Sequence, residues 1–392
     1  MQVPLLDLQL QLEQLRPQLL ESVGELIDST RYILGPRVEQ LEQEIAAYCT
    51  TGFGIGVSSG TDALMAAMMA LDIGPGDRVV TTPFSFFATM GVILRAGAEP
   101  VFVDIEPHSF NIDPNALEQV LREDHDHRIK AVIPVHLYGQ CADMRPVLDS
   151  TRERGIPVIE DAAQAIGSEY PYQEDGSIRW RRAGSMGKAG CFSFFPSKNL
   201  GGIGDGGMVT TSDADFAALL ASLRNHGAKP KYYHSMVGGN FRLDPVQAVV
   251  LSIKLPFLEQ WHQGRRRNGD LYRKFFNDAG LTGNPVVLPE EVWGHLPGAE
   301  EHNHHIYNQF VIRVPERDRL RAYLGEHSIG TEVYYPLCLH QQECLVKAGY
   351  PSPSLPIAEQ AAEEVLALPI FPELRAEQLE YVVQIIQSFY AG

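Results

Sequence analysis

The chain has 392 residues, of which 44% are apolar and 21% charged. That composition is ordinary for a globular protein, and the length predicts one large unit plus a smaller one. With 32 basic against 49 acidic residues the net charge is −17. A field of that sign repels nucleic acid and leaves any phosphorylated ligand dependent on local donors.

No run of about eighteen uncharged apolar residues occurs, so no membrane span is expected. The first ten residues lack the basic start and apolar stretch of a secretory signal, and a cytoplasmic protein is expected. Cys49, Cys141, Cys191, Cys338 and Cys344 are scattered and form no C-x-x-C pair. This speaks against a disulfide framework or a zinc site.

In chain order, residues 5–27 read as helical. From about residue 55 to 225 short apolar runs alternate with helical stretches. Residues 78–82, 100–103, 129–135, 157–159 and 190–194 are apolar on consecutive positions, as strands covered on both faces require. Residues 61–71 and 144–154 read as helices. So do residues 115–121, where Asp113 is the N-cap and Pro114 the first helical position. The alternation predicts a mostly parallel sheet in a three-layer α/β fold, with ligands beyond the carboxyl ends of the strands. A long helix is expected over 246–262. Beyond it, strands at 309–314 and 331–335 mix with turns at Pro351, Pro353 and Pro356. The expected division is a large domain over 13–250 and a small one over 251–392 that includes residues 1–12. The basic runs Lys229-Pro230-Lys231 and Arg265-Arg266-Arg267 read as solvated faces.

Four segments carry candidate chemistry. Ser58-Ser59-Gly60-Thr61 opens a helix, and free amides with a positive dipole end bind phosphate there; a plain N-cap is the simpler reading. Glu160-Asp161 ends an apolar strand, with Gln164 three residues on. An acid at that edge would keep a pyridine nitrogen protonated, though a helix cap explains it equally. In residues 191–200 a strand breaks at Pro196 and Lys198 follows, five residues after Ser193. Most lysines are solvated, but burial would free this amine for imine formation. Glycines at 201, 202, 204, 206 and 207 suggest backbone packed closely around something. Residues 238–244 read only as a glycine turn before a helix cap. His302, His304 and His305 lack acid or cysteine partners at ligand spacing, so no metal site is expected.

These residues, together with residues 59–64, 134–140, 160–164, 192–200, 204–207, 224–227, 239–247, Tyr334-Tyr335-Pro336 and Ala367-Leu368-Pro369, resemble the DegT/StrS family of sugar aminotransferases. The match is collinear over nearly the whole chain. It implies a fold-type-I pyridoxal 5'-phosphate (PLP/PMP) fold and a homodimer with shared active sites. Lys198 would carry the cofactor as a Schiff base and shuttle the proton. Asp161 would pair with the ring nitrogen and Gln164 with the ring oxygen. Gly60, Thr61 and Ser193 would hold the phosphate, Phe86 would stack on the ring, and Asn240 would reach the phosphate from the partner subunit. His136, Tyr138, Arg242, His305 and Tyr307 match positions near the substrate pocket.

The implied substrates are L-glutamate and a dTDP- or UDP-linked keto sugar, with a slight lean toward a 3-keto group from residues 136–140. Dehydratases of the family carry histidine where Lys198 stands. Aminotransferases for inositol-derived ketones, an aminobenzoate-forming synthase and a regulatory protein without catalysis are the alternatives. Two departures from the family pattern stand out: Gly187-Lys188, which puts a second lysine nearby, and a longer stretch over 172–182, read as either an active-site rim or a surface hairpin.

Overall fold

The computed structural model describes residues 1–230 and 232–392. Its centre is a sheet of seven strands: β1 (Phe53–Val57), β2 (Arg78–Thr81), β3 (Glu99–Phe102), β4 (Ile129–Ile133), β5 (Ile159–Asp161), β8 (Ala189–Ser193) and β9 (Gly207–Thr211). Between β5 and β8 lies a hairpin of β6 (Glu169–Glu174) and β7 (Ser177–Arg182). The order β3-β2-β4 joins β5-β8-β9-β1 through parallel bridges from Val132 to Val158 and Val135 to Asp161. All pairings are parallel except those of β9, which runs against both β8 and β1. The expected mostly parallel sheet is therefore observed.

Helices cover both faces because the strands are apolar on both. On one side Gly60–Ala70, Phe87–Arg95 and Ala214–Leu223 pack over Ile55, Val79, Ile133 and Val209. On the other, Pro36–Tyr48, Pro114–Glu123, Met144–Arg152 and Pro245–Lys254 pack over Val80, Val132, Val158 and Phe192. Asp113 caps its helix by accepting from the Asn115 amide at 2.8 Å, with Pro114 in the first turn, as the sequence predicts.

A third cluster, built around Tyr272, Phe276, Phe310 and Leu379, forms the C-terminal part. It includes β10 (Phe310–Arg313) paired antiparallel with β11 (Val365–Leu368). Val3 is buried in it and bridges Ile329. We propose that residues 1–12 belong to this smaller unit. The boundary expected at residue 250 falls inside the helix Pro245–Lys254, so we propose the turn at Leu255–Phe257 as the division.

Several expectations are corrected. The helix predicted over 246–262 breaks at Pro256, whose ring removes a ladder donor, and resumes as Leu258–Asp278. Residues 331–335 form no strand: only Glu332 bridges Ala367. The partner strand for β10 comes instead from Val365–Leu368. The N-terminal stretch is two helices, Leu8–Glu13 and Arg16–Ser29. Arg265 is buried rather than solvated, donating to the carbonyls of Tyr307 and Ile370 at 2.9 Å. Lys231 lies outside the described residues. The long stretch over 172–182 is a hairpin turning at Asp175-Gly176, with Trp180 stacked 4.5 Å from His302.

Candidate active site

Because β1, β2, β4, β5 and β8 run the same way, their carboxyl ends share one edge. Each delivers a segment there: Ser58–Thr61 after β1, residues 83–89 after β2, His136–Tyr138 after β4, Asp161–Gln164 from β5, and Ser193–Lys198 from β8.

Ser59 is the N-cap of the helix Gly60–Ala70 and accepts from the Asp62 amide at 3.1 Å. The amides of Gly60 and Thr61 lie in the first turn, outside the helix's own ladder. A Cβ on Gly60 would stand 2.8 Å from Ser193 Cβ, so glycine lets the helix start close onto the end of β8. Gly207 is constrained from behind, since its Cβ would meet the Ser59 carbonyl at 2.4 Å. The helix start and Ser193 are thus brought into contact at this edge.

Adjacent residues on a strand point to opposite faces, which separates the two carboxylates of β5. Glu160 faces into the protein and is fully buried. It accepts from the amides of Gly184 (2.7 Å), Met186 (2.7 Å) and Gly187 (2.6 Å), and from His136 Nε2 at 2.9 Å. Asp161 faces the edge, 5% exposed. Its Oδ2 accepts from the Thr89 hydroxyl at 2.8 Å and its Oδ1 from the Ala163 amide at 3.2 Å. Burial pushes the Asp161 carboxyl up, while Thr89, Ala163, Lys198 and His136 pull it down.

Lys198 is partly buried at the turn after β8, its amide bonded to the Phe195 carbonyl at 2.8 Å. Desolvation lowers its pKa to about 8, opposed by the charge of Asp161. The next residue, Asn199, is clamped from the C-terminal part. It donates to the Ile306 carbonyl at 3.1 Å and accepts from Asn308 at 2.7 Å. Lys254, buried, donates to the Gly201 carbonyl at 2.6 Å, and Gln247 accepts from the Ile203 amide at 2.8 Å. The glycine-rich loop is therefore held in place. Lys188 is paired with Asp213 at the opposite end of β8 and β9 from Ser193.

Gln164 accepts from the Tyr138 amide at 2.8 Å and donates to the Tyr335 hydroxyl at 3.1 Å. Phe86 is 59% exposed, unusually open for a phenylalanine, with its ring 6.4 Å from that of Tyr335. Asn240 is exposed and its backbone bridges Asn225. Arg242 donates to Asn225 Oδ1 at 2.8 Å. Among the described residues, neither has a hydrogen bond to the cluster.

His136, His305 and Tyr307, expected near the substrate pocket, are all buried in this chain. His136 is 0% exposed; its Nδ1 accepts from the Ala142 amide at 3.1 Å, leaving the Nε2 proton for Glu160. Tyr307 is 0% exposed, donating to Glu291 and accepting from Arg273 at 2.7 Å. His305 is buried, accepts from the Tyr307 amide at 3.0 Å and stacks on its ring; burial lowers its pKa to about 3. Tyr138 is also buried, with its hydroxyl on the Tyr334 carbonyl. These residues form the wall behind the site. Thr89, Ser85, Tyr335 and Asn199 are site or wall residues that the sequence reading did not assign. A hydroxyl pair four residues apart, Ser85 and Thr89, was the available signal.

Pyridoxal phosphate suits these groups: a glycine-opened anion cradle, a buried carboxylate for a protonated ring nitrogen, and an amine of lowered pKa for an aldehyde. Fold and edge together define a PLP-dependent aminotransferase. The chain belongs to the DegT/DnrJ/EryC1/StrS aminotransferase family, whose profile matches residues 13–387. It is 48% identical over 390 residues to a pleiotropic regulatory protein of Geobacillus stearothermophilus, covering 100% of this chain and 99% of the relative. It is 41% identical over 390 residues to a UDP-N-acetyl-3-dehydro-alpha-D-glucosamine 3-aminotransferase of Acidithiobacillus ferrooxidans, covering 100% and 98%. The crystal structure of S. venezuelae DesV in complex with a ketimine intermediate superposes with a TM-score of 0.89 at 38% identity, covering 99% and 98%. That of NtdA from Bacillus subtilis with bound PMP gives 0.84 at 28% identity, covering 98% and 85%.

Proposed function

We propose that the protein transfers an amino group from L-glutamate to the 3-keto group of a nucleotide-linked sugar, as a cytoplasmic homodimer with shared active sites. The observation that carries this is the meeting of Lys198, Asp161 and the Gly60–Ser193 contact at one edge of the sheet, with the lysine amine held at a pKa of about 8. A protein that only binds a partner has no use for a desolvated lysine beside a buried carboxylate.

When bound, the cofactor supplies an aldehyde that exchanges its oxygen for the amino group and a ring that takes up an electron pair. The residues do the rest. The free amine of Lys198 takes the proton from the α-carbon of glutamate in the first half-reaction and returns a proton to the sugar carbon in the second. Asp161 holds the ring nitrogen protonated. Gly60, Thr61 and Ser193 hold the phosphate, Phe86 covers the ring face, and Gln164 orients the ring oxygen. Asn240 serves the partner's site, in keeping with its exposure and with the open apolar surface around it: Tyr233 is 71% and Val237 88% exposed. Arg242 is proposed to meet substrate. The nucleotide, bound away from the reacting carbon, aligns the carbonyl.

The 3-position follows the sequence lean and the activity named for the 41%-identical relative. The regulatory name of the 48%-identical relative is the rival reading, and inositol-derived ketones are a second substrate class. The deciding experiment is a screen of UDP- and dTDP-linked 3-keto and 4-keto sugars and inositol ketones with glutamate, scored by 2-oxoglutarate. Turnover on the 3-keto nucleotides supports the proposal. Turnover only on other ketones, or on none, overturns it.

A further inference from the structure

Asp161 is a buried carboxylate with a defined set of neighbours. Facing it are the amine of Lys198, the imidazole of His136, and the titratable Cys191 and Tyr335. Among the described residues, its one side-chain hydrogen bond comes from Thr89, 0% exposed, on the helix Phe87–Arg95. Thr89 is in turn 2.8 Å from Ser85 Oγ, also buried. The donor order is forced. A hydroxyl has one proton; Thr89 gives its own to Asp161 Oδ2, so Ser85 must donate to Thr89. The pair forms a chain of two donors ending on one carboxylate oxygen, in a setting shielded from water where such chains reinforce each other.

The chain is also rigid. Ser85 sits in the turn closed by the Phe84 amide on Thr82 Oγ1 at 3.1 Å, and the Thr89 amide bonds the Phe86 carbonyl at 3.2 Å. The same short segment therefore carries Phe86 and the two hydroxyls.

We propose that Thr89, backed by Ser85, is a positioning residue for the cofactor ring: it fixes the Asp161 carboxylate in the ionised form and in the orientation that accepts from the ring N–H. The inference rests on the proposed pairing of Asp161 with the ring nitrogen. Burial alone drives this carboxyl toward its neutral form, and a neutral acid would give the ring nitrogen no charge to hold its proton. The donated hydrogen bond counters that drive. It also ties up Oδ2, leaving Oδ1, with a lone pair beyond the Ala163 amide, to meet the ring.

The test uses two probes on apoenzyme: pyridoxal phosphate and its 1-deaza analogue, in which C–H replaces the ring nitrogen. Affinities are read by quenching of protein fluorescence. If Thr89 acts through the ring nitrogen, Thr89→Val lowers the preference for pyridoxal phosphate over the analogue by about tenfold, the scale of one hydrogen bond to a charged group. Thr89→Ser, which keeps the donor, retains the wild-type ratio. Ser85→Ala lowers the ratio by a smaller factor and decides the matter should Thr89→Val fail to fold. Equal loss of both ligands or a wild-type ratio in Thr89→Val overturns the inference, as does a wild-type ratio in Ser85→Ala where Thr89→Val does not fold. Asp161→Ala in the same assay separates the two claims. If it leaves the ratio unchanged, the pairing of Asp161 with the ring nitrogen falls. If it collapses the ratio while Thr89→Val does not, only the role of Thr89 falls.

Discussion

Replacing Gly60 by alanine tests whether the contact between the helix start and β8 is a phosphate cradle. The added Cβ would lie 2.8 Å from Ser193 Cβ and 3.3 Å from its Cα and Oγ. The nearest, Cβ, is fixed to the backbone and cannot swing aside as Oγ can. Ser193 is the last residue of β8, paired on one side with β9. The helix start must therefore move away by a few tenths of an ångström. Overpacking of this kind costs about 1–3 kcal/mol, and the better helix propensity of alanine offsets up to about 1 kcal/mol. The apoprotein should thus lose at most about 3 kcal/mol of stability. Cofactor affinity should fall further in relative terms. The first-turn amides are displaced from an anion, and a hydrogen bond to a charged group is worth about 1.5–3 kcal/mol, so the Kd rises roughly tenfold to a hundredfold. Equilibrium dialysis of apoprotein against pyridoxal phosphate measures this, with pyridoxal lacking the phosphate as control. Wild-type affinity for pyridoxal phosphate in Gly60→Ala, or an equal loss for both ligands, would refute the cradle.

Three further outcomes are expected. The neighbouring carboxylates should behave oppositely. Glu160→Gln turns an amide NH₂ toward the donors that Glu160 accepts from, and costs about 3–5 kcal/mol in a urea melt. Asp161→Asn leaves apoprotein stability at pH 7 unchanged or raised, because a carboxyl pushed up by burial destabilises the fold when ionised; turnover falls by about a hundredfold or more. The amine of Lys198 should react with an acylating probe in the apoprotein with a midpoint near pH 8. Its lowered pKa penalises the fold most below pH 8, and the penalty fades as pH rises toward the ordinary lysine range. Lys198→Met should therefore stabilise the apoprotein at pH 7 and lose that advantage by about pH 10.5; a constant difference across this range would contradict the burial argument. In solution the protein should sediment at twice its 43.5 kDa, and Val237→Glu should shift it toward monomer with loss of turnover; a fully active monomer would contradict the role of Asn240.

The sheet was legible because its strands are apolar on consecutive residues, and that pattern has few other solutions in an alternating chain. Pro114, Pro256 and the glycines after Lys198 mark real boundaries, with Pro256 interrupting what the apolar pattern reads as one helix. The strand Val365–Leu368 was hidden because it follows the alanine- and glutamate-rich helix Pro356–Glu364 without a turn signal. Residues 331–335 look like a strand by composition, but Tyr335 is used at the site, on Gln164 and near Phe86. The opposite duties of Glu160 and Asp161 follow from strand alternation and were within reach of the sequence. The burial of His136, His305 and Tyr307 was not, since it depends on partners such as Glu160, Glu291 and Arg273 that are distant in the chain.

The claim on which everything else stands is that Lys198, not Lys188, carries the cofactor. Borohydride reduction of the loaded enzyme, followed by digestion and mass spectrometry, tests it directly. The account predicts the cofactor mass on the peptide containing Lys198 and on no other; the mass on the peptide containing Lys188, which is paired with Asp213, would contradict it.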